Sequence, residues 1–476
     1  MNEEKIQFTF GIDVLNEYFG SALTPGTTLL VAGNPGAGKT TLAATVCYKN
    51  ALKGLPCLYV SFVEDREKFF RIMRSLGMDF GKLEQENLFK YIRIPVIATE
   101  DVTDFLSSAI NEEIKKQGTK VIVIDSVNPL LDALGRSAVK RSVLQNYLYD
   151  LTNMIKGIAI LVAELPLGRA ALPEEIVEFI ADSIILMKHE VKHSIIHRKM
   201  EFRKFRGVKL VLAEAPYSII EGLGIKVFMP PMLSKVPSRR FKKGYTFPSK
   251  ILSKYIPNLA PGCSIFVGYP PHGRSYLYTL LPITAMLLWN DCSVGIFSYR
   301  YSEDELKWYL SLVARDLGID LSVINSRLKF IVSSNPTTYS SGELANIESE
   351  LIRKTGPDAV VYHGIEILYM VRESREEHIR SVYNAILATR TMGAMSIGMG
   401  SVYDESMFRA ESVMSEVVFR LKYLWDRKLG QLRPYLYIWR SGSEPAVLKP
   451  EELEECLTEL SSNLKKKFVE GTTGNS

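Results

Sequence analysis

The sequence has few cysteines, and no two of them are spaced as a pair. The 476-residue chain contains Cys47, Cys57, Cys263, Cys292 and Cys456, without the CxxC spacing of a zinc ribbon or a redox site. It also has no run close to the ~18 consecutive apolar residues that cross a bilayer. The first residues, MNEEKIQFTF, lack the basic and then apolar pattern of a secretory signal. We therefore expect a cytoplasmic protein with neither a disulfide framework nor a membrane anchor.

The chain has no strong excess of charge of either sign. It carries 58 Lys and Arg residues against 53 Asp and Glu residues, a net charge of +5. One stretch is nevertheless purely basic, residues 231–255, which contains no acid. Its basic residues are Lys235, Arg239, Arg240, Lys242, Lys243, Lys250 and Lys254. The stretch is interpreted either as a solvated linker between domains or as a contact for nucleic acid, since clustered cations release counterions from phosphates.

The two halves of the chain resemble each other. Residues 10–42 share a Pro-Gly turn, a short β-rich run and a Gly-bounded loop with residues 247–277. Further on, residues 119–131 match 357–369, in the same order and at similar spacing. A duplicated domain explains this conservation of order. The predicted divisions are a first domain at 1–232, a basic linker at 233–246, a second domain at 247–450 and a C-terminal tail at 451–476.

Each half alternates short apolar runs with longer helical patterns. Runs such as TTLLVAG, PCLYVSF and KVIVIDS are rich in Val, Ile, Leu and Tyr, as buried parallel strands are. After Ala181 the pattern changes to runs typical of hairpin-linked antiparallel strands. The sequence therefore predicts an α/β fold with two tandem domains, each a mostly parallel sheet flanked by helices with antiparallel edge strands.

The strongest local motif follows the first predicted strand. It has the form GxxxxGK[ST] and opens a helical pattern, as a phosphate-binding loop does. Its glycines let backbone N–H groups point at an anion, and the helix N-terminus adds a positive dipole. Lys39 is predicted to reach the β- and γ-phosphates, Thr40 to ligate Mg²⁺, and Thr41 to lie near the α-phosphate. The predicted ATP-binding residues are Gly33, Asn34, Pro35, Gly36, Ala37, Gly38, Lys39, Thr40 and Thr41.

Carboxylates end two of the predicted strands. Asp125 follows VIVI, and an acid at this place orients magnesium or its water in phosphate-loop enzymes. Glu64 and Asp65 end the second strand, where a carboxylate can align the attacking water. A simple acidic helix start explains Glu64 and Asp65 equally well. Lys204 and Arg206 are predicted to lie on one face of a later strand. They are interpreted either as part of a solvated basic strand or as cations that reach the γ-phosphate of a neighbouring subunit.

Together these residues resemble the KaiC-like ATPases of the RecA superfamily. The resemblance covers the segment from Gly11 through the phosphate loop, the strand ending in Glu64, Asp125 and the tetrapeptide 204–207, in family order. It implies RecA-like cores in rings, commonly hexamers, with ATP held between subunits. It also implies that Lys204 and Arg206 act in trans. Family members often carry two adjacent acids where this chain has Val63 and Glu64, which implies slow hydrolysis.

The second half departs from this pattern where chemistry would occur. In the segment 268–275, the sequence aligns Arg274 with Lys39 and Pro271 with a loop glycine, and proline has no N–H for a phosphate. His363 stands in the place of Asp125, and Tyr301 in that of Glu64. Residues 438–440, Ile-Trp-Arg, are aligned with 204–206 and keep one cation. We therefore expect a second domain with a degenerate nucleotide site.

The motifs predict a Mg²⁺-dependent ATPase, and the resemblance implies that it is slow, forms a homo-oligomeric ring and regulates another macromolecule. The alternative is a RecA-like or RadA-like DNA-binding ATPase of recombination or repair, which single-stranded DNA would stimulate. A third interpretation is a nucleotide-binding scaffold with negligible turnover.

Overall fold

The protein is described here by a computed structural model in two compact units. The residues it describes are 6–94, 102–133, 138–165, 180–192, 195–210, 213–228, 235–238, 244–271, 275–372 and 374–470. The chain divides into Met1–Met229 and Pro230–Ser476. The finer divisions at 232, 246 and 450 remain predictions.

The first unit is built on one mixed sheet. Its strands are β1 (Thr28–Gly33), β2 (Cys57–Ser61), β3 (Phe89–Arg93), β4 (Val121–Asp125), β5 (Ile158–Glu164), β6 (Ser183–Lys192), β7 (Ile195–Phe205), β8 (Glu214–Ile220) and β9 (Gly224–Val227). Its α-helices are α1 (Asp13–Phe19), α2 (Lys39–Ala51), α3 (Arg66–Ser75), α4 (Phe80–Gln85), α5 (Val102–Gln117), α6 (Asn128–Ala133) and α7 (Ala138–Ile155). The strand order is β3-β2-β4-β5-β1-β6-β7-β8-β9. Pairing is parallel from β3 to β6 and antiparallel from β6 to β9.

Both faces of this sheet are covered, as its sequence pattern requires. On β1, Leu29 and Val31 belong to one apolar core, and Leu30 and Ala32 belong to another. Successive side chains of a strand point to opposite faces, so the two cores lie on the two sides of the sheet. A strand buried on both faces must be apolar throughout, which is why TLLVA shows no alternation.

The second unit repeats the plan with one strand fewer among the described residues. Its strands are β10 (Ser264–Tyr269), β11 (Val294–Ser298), β12 (Leu328–Ser333), β13 (Ala359–His363), β14 (Met395–Ser401), β15 (Val417–Asp426), β16 (Gln431–Arg440) and β17 (Ala446–Leu448). Its α-helices are α8 (Lys250–Tyr255), α9 (Leu280–Trp289), α10 (Glu303–Leu317), α11 (Leu321–Asn325), α12 (Ser341–Thr355), α13 (Ile365–Val371), α14 (Arg375–Thr391), α15 (Glu405–Met414) and α16 (Pro450–Lys465). The strand order is β12-β11-β13-β14-β10-β15-β16-β17.

The predicted fold class is confirmed, since both sheets are mostly parallel with antiparallel edge strands. The segment predicted as the C-terminal tail contains helix α16. Residues Leu453, Cys456, Leu460 and Leu464 are buried on one face of α16, which therefore belongs to the second core. Within the described residues, no helix combines the length and the apolar character that a membrane span needs.

A buried carboxyl group makes the stability of the second unit depend on pH. Glu348 lies on α12 and accepts a hydrogen bond from the Tyr299 hydroxyl. Burial raises the pKa of Glu348 to about 7, although Tyr299 and Arg372 oppose the shift. Because the folded-state pKa exceeds that of the unfolded chain, the stabilisation is complete below about pH 4.5 and is lost as the pH rises through 7. Between pH 5 and pH 8 we expect ~2.5 kcal/mol of pH dependence, measured by urea denaturation, and its disappearance in Glu348→Gln.

Candidate nucleotide site of the first unit

The loop between β1 and α2 has the backbone of an anion-binding turn. Gly36 and Gly38 have φ angles of +78° and +91°, a left-handed region that favours glycine. At Gly38 a Cβ would also meet the Ile219 side chain at 2.6 Å. The loop is fastened to β8, because the Tyr217 hydroxyl donates to the carbonyl oxygen of Ala37. The loop and the helix N-terminus are therefore held in place before any anion arrives.

Lys39 lies at the first position of α2 and is largely buried. Only 6% of the residue is exposed, and its Nζ donates to the carbonyl oxygen of Asn34 at 3.0 Å. Burial lowers the pKa of Lys39, while the carboxylates of Glu164 and Asp125 act in the opposite direction. The Lys39 ammonium group is thus held against the backbone of the phosphate loop. Beside it, Thr41 is buried in the first turn of α2.

Asp125 and Thr40, the two residues predicted to bind the metal ion, are in direct contact. The Thr40 hydroxyl donates to Oδ2 of Asp125 at 2.8 Å. The Tyr59 hydroxyl donates to the same oxygen at 2.7 Å. Burial raises the pKa of Asp125, whereas these two hydrogen bonds favour the carboxylate and lower it. Two oxygen ligands of the kind that Mg²⁺ prefers therefore lie side by side at the helix start.

Two hydroxyl groups of this site were absent from the sequence prediction. Tyr59 lies 66 residues before Asp125, and Tyr217 lies 180 residues after Ala37. Neither belongs to a local motif. The sheet alone brings them to the loop, because β2 lies beside β4 and β8 crosses the end of the loop.

Glu64 lies at the same edge of the sheet but is already paired. Its carboxylate forms a 3.2 Å ion pair with Lys68, and its backbone N–H donates to Ser61. The adjacent Asp65 is the N-cap of α3. The charge of Glu64 raises the pKa of Asp125, which indicates that the two carboxylates are near each other. Both roles suggested by the sequence, water positioning and helix start, are compatible with this placement.

Lys204 and Arg206 lie away from the loop of their own subunit. Ser183 pairs with Leu29 on one side and with Phe205 on the other, whereas Gly33 pairs with Met187. The end of β7 is thus roughly 13 Å below the loop along the strand and ~10 Å across it. The Arg206 side chain is 81% exposed and forms an ion pair with Asp182 at 3.2 Å. The structure does not bring these two cations to the loop within one chain.

The register of the second sheet identifies the counterparts of the acids. Ser298 pairs with His363 as Ser61 pairs with Asp125, so His363 occupies the place of the aspartate. Ser302 caps α10 as Asp65 caps α3, which puts Tyr301 in the place of Glu64. Burial and the charge of Arg300 lower the pKa of His363 to about 4. The imidazole is therefore neutral at neutral pH.

The loop after β10 differs from the sequence alignment. Five residues, 34–38, separate β1 from α2, whereas ten residues, 270–279, separate β10 from α9 and include a short 3₁₀ helix, Ser275–Leu277. A proline inside a helix clashes with the carbonyl four residues earlier, so Pro282 fits only within the first turn of α9. A continuous α-helix from residue 275 would bury this proline in its interior, and the chain instead forms the short 3₁₀ helix and begins α9 at Leu280. Arg274 itself lies outside the described residues.

A second alignment also shifts by one residue. The backbone N–H of Arg206 donates to Asp182, and that of Ser441 donates to Glu416 at the equivalent place. Gly207 and Gly442 follow with φ angles of +80° and +81°. Ser441 therefore stands in the place of Arg206, and by the same register Trp439 stands in that of Lys204.

Comparison with known proteins agrees with this geometry. The family described as ATPase: KaiC matches residues 8–232. The circadian clock protein KaiC3 of Synechocystis sp. is 27% identical over 208 residues, 42% of this chain and 40% of the relative. KaiC2 of the same organism is 23% identical over 348 residues, 69% of this chain and 58% of the relative.

The circadian clock oscillator protein KaiC of Picosynechococcus sp. is 27% identical over 354 residues, 71% of this chain and 66% of the relative. The chain thus spans between 40% and 66% of the length of these three curated relatives. Residues 8–232 form a KaiC-family ATPase domain, and the longer matches to KaiC proteins support a KaiC-like ATPase of the RecA superfamily.

Proposed function

We propose that the first unit binds ATP with Mg²⁺ and hydrolyses it slowly. The observation that carries the proposal is the 2.8 Å contact between Thr40 and Asp125 beside the buried Lys39. The three side chains meet at a left-handed glycine loop inside a KaiC-family domain. Backbone N–H groups of the loop and the Lys39 ammonium would receive the phosphates, as in other phosphate-loop proteins.

The same residues fit a magnesium ion. Thr40 and Asp125 supply hydroxyl and carboxylate oxygens, the hard ligands that Mg²⁺ selects. When bound, the ion would neutralise charge on the β- and γ-phosphates. The tyrosine hydroxyl at Asp125 keeps the carboxylate oriented toward Thr40, as outer hydrogen bonds orient ligands in metal sites.

Slow turnover follows from the surroundings of Glu64. A carboxylate that positions water must present a free oxygen, and the ion pair of Oε1 with Lys68 leaves Glu64 one oxygen, Oε2, for this role. The residue before it, Val63, is 70% exposed and contributes no second acid. We expect turnover well below the ~10 s⁻¹ that is typical of enzymes.

The chain is proposed to form a ring, with a hexamer as the expected size. In this assembly Lys204 and Arg206 serve the nucleotide of the next subunit. The proposal is supported by the similarity to KaiC proteins and by the distance of both cations from their own loop. A ring whose interfaces contain ATP would couple nucleotide state to a regulatory protein partner.

The second unit is proposed to be a pseudo-ATPase. Its counterpart of Asp125 is the neutral His363, its loop is five residues longer, and Trp439 and Ser441 replace both trans-acting cations. The recombinase-like alternative is not favoured, because the relatives above carry circadian clock names. The cluster Arg239, Arg240, Lys242 and Lys243, which suggested nucleic acid, lies outside the described residues.

Asp125→Asn tests the proposed metal role. The amide cannot supply an anionic ligand, so we expect hydrolysis to fall by about 100-fold and the magnesium concentration for half-maximal activity to rise. Asp132→Asn is the matched control, because Asp132 is exposed on the neighbouring helix α6 and its variant should retain full activity. Equal magnesium dependence in the Asp125 variant and the unmodified chain would contradict the proposal.

A further inference from the structure

The second unit contains a partly enclosed cavity that the proposed mechanism of the first unit does not use. Its volume is about 120 Å³. It extends from the end of β10 beneath α9 toward α10. The apolar part of its wall includes Leu280, Ile283, Leu287, Ile296, Leu306 and Leu310. Tyr269, Tyr301, Tyr309 and His363 line the end nearest the carboxyl termini of the strands.

The cavity exists because large aromatic side chains of the first unit have smaller counterparts here. Ile296 is the counterpart of Tyr59. Tyr59 lies two residues before Ser61 and pairs with Val123, and Ile296 lies two residues before Ser298 and pairs with Val361. Leu306 is likewise the counterpart of Phe69, because Phe69 is the fourth residue of α3 and Leu306 is the fourth residue of α10. In the first unit the Tyr59 and Phe69 rings pack with centroids 4.6 Å apart. Their aliphatic counterparts leave that volume open.

Among the described residues, the polar end of the cavity offers hydrogen bonds without net charge. The Tyr269 hydroxyl lies 3.5 Å from Nε2 of His363, and Ser298 lies 3.3 Å from Nδ1. The Arg300 guanidinium that reaches this end is neutralised by Glu366 at 2.8 Å. The equivalent end of the first unit instead presents the charged side chains of Lys39 and Asp125. A triphosphate does not match this end, whereas a single hydroxyl group does.

We infer that the cavity binds a small uncharged molecule with one aromatic ring and one hydroxyl group, the class of simple phenols. An apolar protein cavity of ~150 Å³ stays dry and accepts benzene, so the volume suits a single ring. The stacked rings of Tyr301 and Tyr309, 5.3 Å apart, provide an aromatic wall for it. The hydroxyl group lies toward Tyr269, whose oxygen can accept a hydrogen bond while its own hydroxyl faces Nε2 of His363.

Phenol itself is the probe for the whole chain, with benzene as its partner without the hydroxyl. We expect calorimetry to show one phenol per chain, with benzene about fivefold weaker because one hydrogen bond is lost. Leu306→Phe, which restores the first-unit residue, should reduce phenol affinity at least about tenfold by filling the cavity. Leu429→Phe is the matched control on an exposed residue and should leave phenol binding unchanged.

Circular dichroism and the unfolding temperature establish that the filled variant is folded. If Leu306→Phe does not fold, Ile296→Phe provides a second filling of the same wall. The inference is overturned if phenol fails to bind the unmodified chain, or if folded filling variants bind it as well as the control does. Since the titration requires no ATP, its failure is distinct from a failure of the proposed hydrolysis.

Discussion

Lys39→Ala is expected to abolish ATP hydrolysis by the whole chain, with a loss of about 100-fold or more. The buried ammonium is fixed at the start of α2 by the carbonyl of Asn34, so it meets the phosphates without reorganisation. Alanine removes this charge and leaves Asp125 without its cationic neighbour. Nucleotide affinity should fall together with the rate, because the same contact holds the ground state.

Measuring the number of nucleotides bound per chain provides a second test of the Lys39 variant. If the second unit holds no ATP, Lys39→Ala should lose essentially all magnesium-dependent binding in equilibrium dialysis. Lys49→Ala is the matched control, since Lys49 is exposed near the end of the same helix. A Lys39 variant that still bound one ATP per chain would show that the unit with His363 and Tyr301 retains a nucleotide site.

The fold was predictable because its signals are local and repeated. Uninterrupted apolar runs such as TLLVA require burial on both faces, and alternation with helices then leaves few arrangements of a parallel sheet. The phosphate loop was predictable for the same reason, since its glycines, lysine and threonine are contiguous. Asp125 was found because a strand end places it beside that loop.

The features that the sequence did not predict depend on contacts between residues far apart in the chain, or on one residue that breaks a local pattern. Tyr59 and Tyr217 reach the site through strand order, and their own neighbours carry no signal for it. Gly268 and Gly273 have the spacing of a phosphate loop, whereas the structure forms a 3₁₀ helix at Ser275 and begins α9 only at Leu280. Pro282 was the local sign against a continuous α-helix from residue 275. The one-residue shift at Ser441 appears only when hydrogen-bond partners are compared.

Mixed assemblies should distinguish action in trans from action within one chain. Replacing both Lys204 and Arg206 by alanine is expected to lower hydrolysis by about 1,000-fold, the lower end of the effect of an arginine finger. Lys39→Ala subunits keep both cations but lack the phosphate-binding lysine. When the two inactive variants are mixed in equal amounts, about one interface in four combines an intact loop with intact cations in a ring of head-to-tail contacts. Roughly a quarter of the original activity should then return.

This recovery has no explanation if each chain is self-sufficient, because every subunit in the mixture is defective. Native mass measurement shows whether the two variants share assemblies, which the recovery requires. Arg203→Ala is the matched control for the cations, since it removes a positive charge immediately before Lys204 on the same strand, where Arg203 pairs with Glu201, and leaves the proposed trans-acting pair intact. It should retain near-full activity alone. Shared assemblies that remain inactive would place Lys204 and Arg206 outside the catalytic interface and leave them as part of an exposed strand end.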